Sequence, residues 1–560
     1  MAELIIKNGT ILTLNPHQED PSVSEAILVK NGYIFAVGTL SDIEKKSNGN
    51  AEIIDLNGQT LMPAFNDAHI HIWKVGDLLT FMLDLRGVKD LAEMQAKIAE
   101  FAAKNPKNAW ILARGFNEAH FPDGAMPSRF DLDAVVSDRP CYVIRTCAHV
   151  AILNSKALEI CGIDAQTVVP NGGEIRQFES LNQMFNAAEI PVFQANFDAE
   201  APPSNFKLQT SNSNNLTGVL SETALGLVQN FLPKYTPKAL KMMVLAAQDA
   251  LLKCGIAAAT DPAVMPDLLA VYKEMDAKKE LKIRINAIPI VVPDGATEAL
   301  PLTDLYASDF LTINTVKFFA DGGLSGKTAA LKNPYKNTSE HGVLRLNADF
   351  FTPLAQKAQA AGFRIATHAI GDRAIDEVLK VYKLMAKENN NQLKHRIEHL
   401  GIPSKNNLKW MRKLGVHCVS QPIFLYELGQ NFRNYLTPQY LKKIYPYRTI
   451  LDAKVNLVFS SDAPVVKDFS PLMGIQNAVE RIDSQGFTIN AAEKISVEEA
   501  LFAYTLNAAK ANGDDAIMGS IEVGKRADFV ILAENPLNTE GGKISEIDVV
   551  NVFVLGSPQL

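Results

Sequence analysis

The segment Thr60-Leu-Met-Pro-Ala-Phe-Asn-Asp-Ala-His-Ile-His-Ile72 is apolar and ends in two histidines, His69 and His71. In an extended strand side chains alternate faces, so positions i and i+2 point the same way. Two imidazoles on one face, at a strand end where the chain turns away, can close on a single cation. The pair becomes informative only if partners for it occur further along the chain.

The bulk numbers set the frame. A chain of 560 residues suffices for several average domains, although one α/β barrel can absorb about 250. With 47% apolar and 21% charged residues it has the composition of a globular protein with a large core. A net charge of −7 without any basic run disfavours nucleic-acid binding. Cys141, Cys147, Cys161, Cys254 and Cys418 show no C-x-x-C spacing, so they are expected to be reduced and mostly buried. No charged leader with a long apolar core opens the chain, and no run of about 18 apolar residues occurs. The expectation is a cytoplasmic protein that does not engage a membrane.

Outward from Thr60 the texture changes. Glu3 to Leu14, Ala26 to Val37 and Ala51 to Leu56 read as strands, with Asn8-Gly9, Asn31-Gly32 and Asn57-Gly58 as hairpin-type dipeptides. Gly519 to Leu532 and Asp548 to Leu555 are also strand-like. Each end is too small for its own core, so residues 1–60 and 517–560 are expected to pair as one small β-sandwich.

From about residue 240, strand-like runs alternate with helical stretches, the pattern of a parallel α/β sheet. Candidate strands are Ile256–Asp261, Lys282–Val291, Ile313–Asp321, Arg364–His368, His395–Leu400, Val416–Gln421 and Asn456–Asp462. The strand ending at His69 and His71 makes eight, which suggests a (β/α)8 TIM barrel over residues 61–76 and 241–516, with its site at the C-terminal strand ends. Residues 77–240 exceed any crossover and read as a large α/β insertion after the first barrel strand. The polar stretch Lys207 to Thr217 within it is expected as a surface loop.

Polar groups recur at those strand ends: His69 and His71 on the first, Lys317 on the fourth, His368 on the fifth, His399 on the sixth and Asp462 on the eighth. Imidazoles and a carboxylate suit zinc or a similar divalent ion. Individually, His368 could be a satisfied core histidine and Asp462 a turn cap, but six groups on one set of strand ends favour a metal site. Lys317 lies between Val316 and Phe318. Burial favours its neutral amine, which can take up carbon dioxide as a carbamate whose oxygens bridge two cations. A snorkelling lysine is the alternative.

These residues resemble the amidohydrolase superfamily and, within it, amidohydrolase family 3, which includes N-substituted formamide deformylases. The resemblance is carried by Met62 to His71, His149 to Leu158, Thr217 to Glu222, Val316 to Gly322, His368 to Arg373, Arg396 to His399 and Ser460 to Pro464. It implies the barrel, the sandwich built from both termini and the insertion. It also implies His69, His71, His368, His399 and Asp462 as metal-site residues, with Lys317 at the position carboxylated in similar proteins. His395 falls outside the motif and reads as structural.

The activity implied is hydrolysis of an amide-type C–N bond in a small molecule, with Asp462 as general base. A cyclic-amide hydrolase, a deaminase or a non-catalytic scaffold are the alternatives, because fold and ligands do not fix the bond attacked. One or two zinc ions are expected, and a homodimer is the expectation for a large barrel. For the substrate pocket Trp73, Arg114, His149 and Glu222 are candidates. Against these stand a core role for His149, a surface ion pair for Arg114 and a helix N-terminal charge for Glu222.

Overall fold

The computed structural model describes residues 3–18, 24–170, 173–178, 215–293, 296, 298–389 and 392–560. The chain divides into two compact units, Phe81–Lys234 and a larger one formed by Met1–Thr80 with Tyr235–Leu560.

In the larger unit, strands from both chain ends share one eight-stranded sheet. Phe529–Leu532 pairs antiparallel with Thr60–Pro63, which runs parallel to the end of Glu3–Ile11. Ile6, Leu61 and Phe529 are buried together against it. Asn31 and Gly32 adopt φ of 52° and 83°, the left-handed pair that a two-residue hairpin requires, and join Ser24–Lys30 to Tyr33–Gly38. Asn8-Gly9 departs from the expectation. It makes no hairpin but an irregularity inside Glu3–Ile11, where pairing with the next strand slips between Lys7 and Ile11. A Cβ at Gly9 would lie 2.3 Å from the Gln59 carbonyl oxygen, so close approach of a neighbouring chain explains this glycine.

Chain direction breaks at Ala64. Thr60–Pro63 belongs to the terminal sheet, while Phe65–Asp67 pairs with Ile256–Val264 in another. That sheet has the order Tyr306–Ala307, Leu311–Ile313, Arg284–Pro289, Ile256–Val264, Phe65–Asp67, parallel except for its first member. A further five-stranded sheet, wholly parallel, runs Thr315–Phe319, Arg364–Ala369, Arg396–His399, His417–Ser420, Leu457–Phe459. The single strand expected over Ile313–Asp321 is therefore two, divided at Asn314, and each half pairs in a different sheet.

Helices Pro266–Ala277, Ala348–Ala360, Asp372–Asn389 and Lys405–Leu414 alternate with these strands and bury residues such as Tyr272, Phe351, Val378 and Met411 in one continuous core. Coverage by helices is what allows the strands to be apolar rather than alternating. The first and last parallel strands are tied at their C-terminal ends. Asp462 N–H donates to the His69 carbonyl (2.7 Å) and His71 N–H to the Ala463 carbonyl (2.9 Å). The Asp67 carboxylate accepts from the backbone N–H of His69 (3.1 Å) and of Ser461 (3.2 Å).

The smaller unit carries a six-stranded sheet in the order Gly173–Gln177, Leu216–Glu222, Val150–Leu153, Cys141–Arg145, Ile111–Phe116, Leu83–Asp84. Of the expected loop Lys207–Thr217, residues 207–214 lie outside the described residues. Leu216 and Thr217 instead open a strand, because Leu216 is buried beside Leu220 and Val228. Among the described residues no helix is long and apolar enough to cross a membrane.

Helix Ile72–Thr80, which follows His71 directly, packs on helix Pro237–Lys253 with Gly76 at the contact. A Cβ there would sit 1.9 Å from the Met243 carbonyl oxygen, so no side chain fits without backbone movement. Gly76→Ala is expected to cost about 1–3 kcal/mol through overpacking, read as a lower urea midpoint. An unchanged midpoint would contradict this packing.

Candidate metal centre

His69 and His71 lie in the bend and loop just after Phe65–Asp67, not within the strand. Their rings stand 5.8 Å apart with planes at 89°. The backbone bonds to residues 462 and 463 hold this segment against the loop carrying Asp462. As a result, His69 Nε2 and His71 Nε2 both lie 3.4 Å from Asp462 Oδ1. The His399 ring is 4.9 Å from that of His69, and the His368 ring 4.5 Å from that of His399. One ligand atom each from His69, His399 and Asp462 fall within 4.8 Å of one another. The backbone takes left-handed φ at His399 (72°) and Asp462 (58°), so both residues stand where the chain leaves extended geometry.

The ring orientations have identifiable causes. His69 Nδ1–H donates to Glu398 Oε2 at 2.5 Å, which leaves its Nε2 lone pair facing Asp462. Glu398 is gripped by Arg396, with Nε 2.5 Å from Oε1 and Nη2 2.9 Å from Oε2. Arg396 is fully buried and also donates to the Ala68 carbonyl (2.6 Å) and Asn512 Oδ1 (3.0 Å). Burial works against the charge on Glu398, but the Arg396 guanidinium and the His69 contact outweigh it and hold the carboxyl far below its usual range. His399 Nδ1–H donates to Gln421 Oε1 (2.8 Å), and Gln421 Nε2 donates in turn to Ser460 Oγ (2.9 Å). His368 Nε2–H donates to the Gly322 carbonyl (3.2 Å).

Burial pushes both His71 and His399 down to about 3, so each is a neutral imidazole with a lone pair to offer. Burial would raise Asp462, but the neighbouring imidazoles, His69 first, hold it well below the ordinary carboxylate range. Lys317 is completely buried on Thr315–Phe319. Its Nζ has no hydrogen-bond partner among the described residues, and it lies 4.8 Å from the Phe319 ring centroid. Burial brings it down to about 8 against the pull of Glu398 and Asp462.

The donor set fits a divalent cation. Tetrahedral zinc with bonds of about 2.1 Å separates its ligand atoms by about 3.4 Å, the spacing found between Asp462 and each of His69 and His71. His71 Nδ1 and Lys317 Nζ are buried without hydrogen bonds among the described residues, and an apolar core alone does not account for them.

The remaining candidates are less concentrated. Trp73 is half-buried in helix Ile72–Thr80, its ring 6.3 Å from Tyr235. The other three belong to the smaller unit. Arg114 is buried there, which removes the surface ion pair as an explanation. His149 Nδ1 and Glu222 Oε2 pair at 3.2 Å. Glu222 precedes a short 3-10 turn without capping it through its side chain. His395 serves the core: Nε2–H donates to Gln359 Oε1 (2.9 Å) and Nδ1 accepts from Ile365 N–H (3.3 Å). Sequence reasoning missed Glu398, Arg396 and Gln421. The i, i+2 placement of Arg396 and Glu398 on one strand was the available signal.

The chain matches the amidohydrolase family (amidohydrolase 3) over residues 52–184 and 191–558. It belongs to that family. The amidohydrolase is a hydrolase acting on carbon–nitrogen bonds. It is 26% identical to an N-substituted formamide deformylase of Arthrobacter pascens, over 99% of this chain and 98% of the relative. Among solved structures, a metal-dependent hydrolase of Pyrococcus furiosus covers 96% of this chain and 100% of its own at TM-score 0.69 and 26% identity. Another, from Pyrococcus horikoshii, shares the fold at TM-score 0.72 and 24% identity, with 97% and 99% covered.

Two outcomes follow from this geometry. Glu398→Gln is expected to weaken zinc affinity about 10- to 100-fold in chelator competition, because His69 loses its charged acceptor; unchanged affinity would contradict the role. His395 is held down to about 3 by burial from an ordinary value of 6.5. Between those pH values the unfolded chain binds a proton that the folded chain refuses, so stability is complete above about pH 6.5 and falls as pH drops through the window. His395→Gln should lose less stability than the parent between pH 7 and pH 5, and an equal loss would contradict it.

Proposed function

We propose that this amidohydrolase is a zinc-dependent cytoplasmic enzyme that cleaves the amide-type C–N bond of a small molecule, N-substituted formamides being the first class to test. The observation that carries the reading is the buried carboxylate of Asp462, placed 3.4 Å from the Nε2 atoms of both His69 and His71. The formamide class is supported by the full-length likeness to the Arthrobacter pascens deformylase. The free state of all five cysteines is compatible with a reducing compartment. In the same reading the two five-stranded sheets are halves of one (β/α)8 barrel, with the terminal sheet as the flanking sandwich.

His69, His71, His368, His399 and Asp462 would hold the metal, with Lys317 as a carbamate if two ions bind. The buried Lys317 amine without a hydrogen bond supports this chemistry, since carbon dioxide converts an awkward cation into an anion with two ligand oxygens. When bound, a divalent ion brings the pKa of water down to about 7 and makes hydroxide available near neutral pH.

Asp462, ionised and buried, accepts the proton of the water that attacks the carbonyl carbon. It then returns that proton to the leaving nitrogen, because an amide anion is too basic to depart unprotonated. A C–O bond forms, the C–N bond breaks, and a carboxylic acid and an amine result. Glu398 keeps His69 in the tautomer that presents Nε2, and Gln421 does the same for His399.

Asp462→Asn is expected to lower turnover of aryl formamides by about 10²- to 10⁴-fold while bound zinc, measured by elemental analysis, stays near the parent level. Retained turnover would remove Asp462 as the base.

A further inference from the structure

Tyr445 takes no part in the chemistry described above, yet its backbone is both strained and clamped. Its φ of 45° is left-handed, a true outlier for a bulky side chain. Three hydrogen bonds keep it there. Its N–H donates to the Gly401 carbonyl (2.8 Å), two residues past His399. Its own carbonyl accepts from Tyr447 N–H (3.0 Å) and from Nη1 of the fully buried Arg481 (2.9 Å). Such strain persists only where the surroundings impose it, and it concentrates at functional sites.

The imposed conformation places the phenol one ring away from the histidine cluster. Its centroid lies 6.2 Å from that of Phe424 in an edge-on contact at 76°. Phe424 in turn lies nearly parallel to the His399 ring, at 6.1 Å and 11°. Phe432 also packs on Tyr445, at 5.9 Å. Burial first, then the nearby Tyr447, Asp462 and Asp321, raise the phenol well above its usual range. It is therefore a neutral O–H within the field of the carboxylate that serves as base.

That hydroxyl makes no hydrogen bond among the described residues, although the side chain is only 1% exposed. It is not sealed: the buried, unpartnered oxygens closed off from solvent include the Tyr447 hydroxyl but not that of Tyr445. Asp321 serves the backbone N–H groups of Ala330, Ile370 and Gly371 instead. Packing alone gives no use for such a donor, since phenylalanine would fill the same space without leaving a polar group unpaired. A reachable, neutral donor beside a metal centre suits an acceptor that arrives with the substrate.

On the amide-hydrolysis reading, addition of water turns the substrate's carbonyl oxygen into an oxyanion, and a fixed O–H donor favours the charged form over the neutral one. Resting on that reading, we propose that the Tyr445 hydroxyl donates a hydrogen bond to this oxygen, strengthening it as negative charge develops while the proton stays on the phenol.

Tyr445→Phe in the zinc-loaded full-length chain tests this, with Tyr447→Phe as the control. In Tyr445→Phe, kcat for aryl formamides should fall about 10²- to 10³-fold. KM should stay close to the parent value, as when an interaction is made only in the transition state. Bound zinc and the urea midpoint should not fall, and Tyr447→Phe should keep the parent kcat. Titration with benzylphosphinate, a tetrahedral anion with no bond to cleave, reads the contact apart from turnover. Its affinity should drop about tenfold or more in Tyr445→Phe and hold in Tyr447→Phe. A parent that turns over no amide, but whose phosphinate affinity still depends on Tyr445, would contradict the hydrolysis reading and leave the contact standing. Unchanged kcat, no phosphinate binding, equal phosphinate affinity in parent and Tyr445→Phe, or equal losses in both variants would overturn it.

Discussion

The contact on which the rest of the site depends is the short hydrogen bond from His69 Nδ1 into Glu398, between two buried side chains. A buried carboxylate is tolerable only when paired and fully hydrogen-bonded. Arg396 supplies that pairing from two positions earlier on the same strand and fastens the Ala68 carbonyl and Asn512 as well. One buried guanidinium therefore sets the charge of Glu398, Glu398 sets the tautomer of His69, and His69 presents its second nitrogen to Asp462. Gln421 and Ser460 repeat the device for His399 with neutral groups.

The same economy governs the fold. Among the described residues nine parallel strand segments contribute to two sheets, and the first and last are laced together by backbone bonds between residues 69–71 and 462–463. Those bonds fix the relative height of the two loops that carry His69, His71 and Asp462. The breaks at Ala64 and Asn314 let single runs of sequence serve two sheets each. Amphipathic helices bury their apolar sides in the core, and the register of the strands puts Lys317, Arg396 and Glu398 on one face of the sheet.

Much of this was legible in the residues, for a definable reason. Strand-length apolar runs separated by helical stretches marked the parallel segments, and five of the eight carried a group able to bind a cation at or near their ends. The split at Asn314 was easily overlooked: the alternation changes phase across Asn314-Thr315, but only the pairing partners show that the two halves lie in different sheets. Asn8-Gly9 carries the same local turn signal as Asn31-Gly32. What separates them is the Gln59 carbonyl, which sequence spacing does not reveal. Leu216 was hidden by the polar run before it. Glu398 and Arg396 stood inside a recognisable motif, yet their work depends on reaching His69 from more than three hundred positions away.

The most direct measurement is anomalous diffraction at the zinc edge from crystals of the zinc-loaded protein. A peak among the side chains of His69, His71, His399 and Asp462 is the predicted result. Stoichiometric zinc in the sample with no peak at that position would contradict the account.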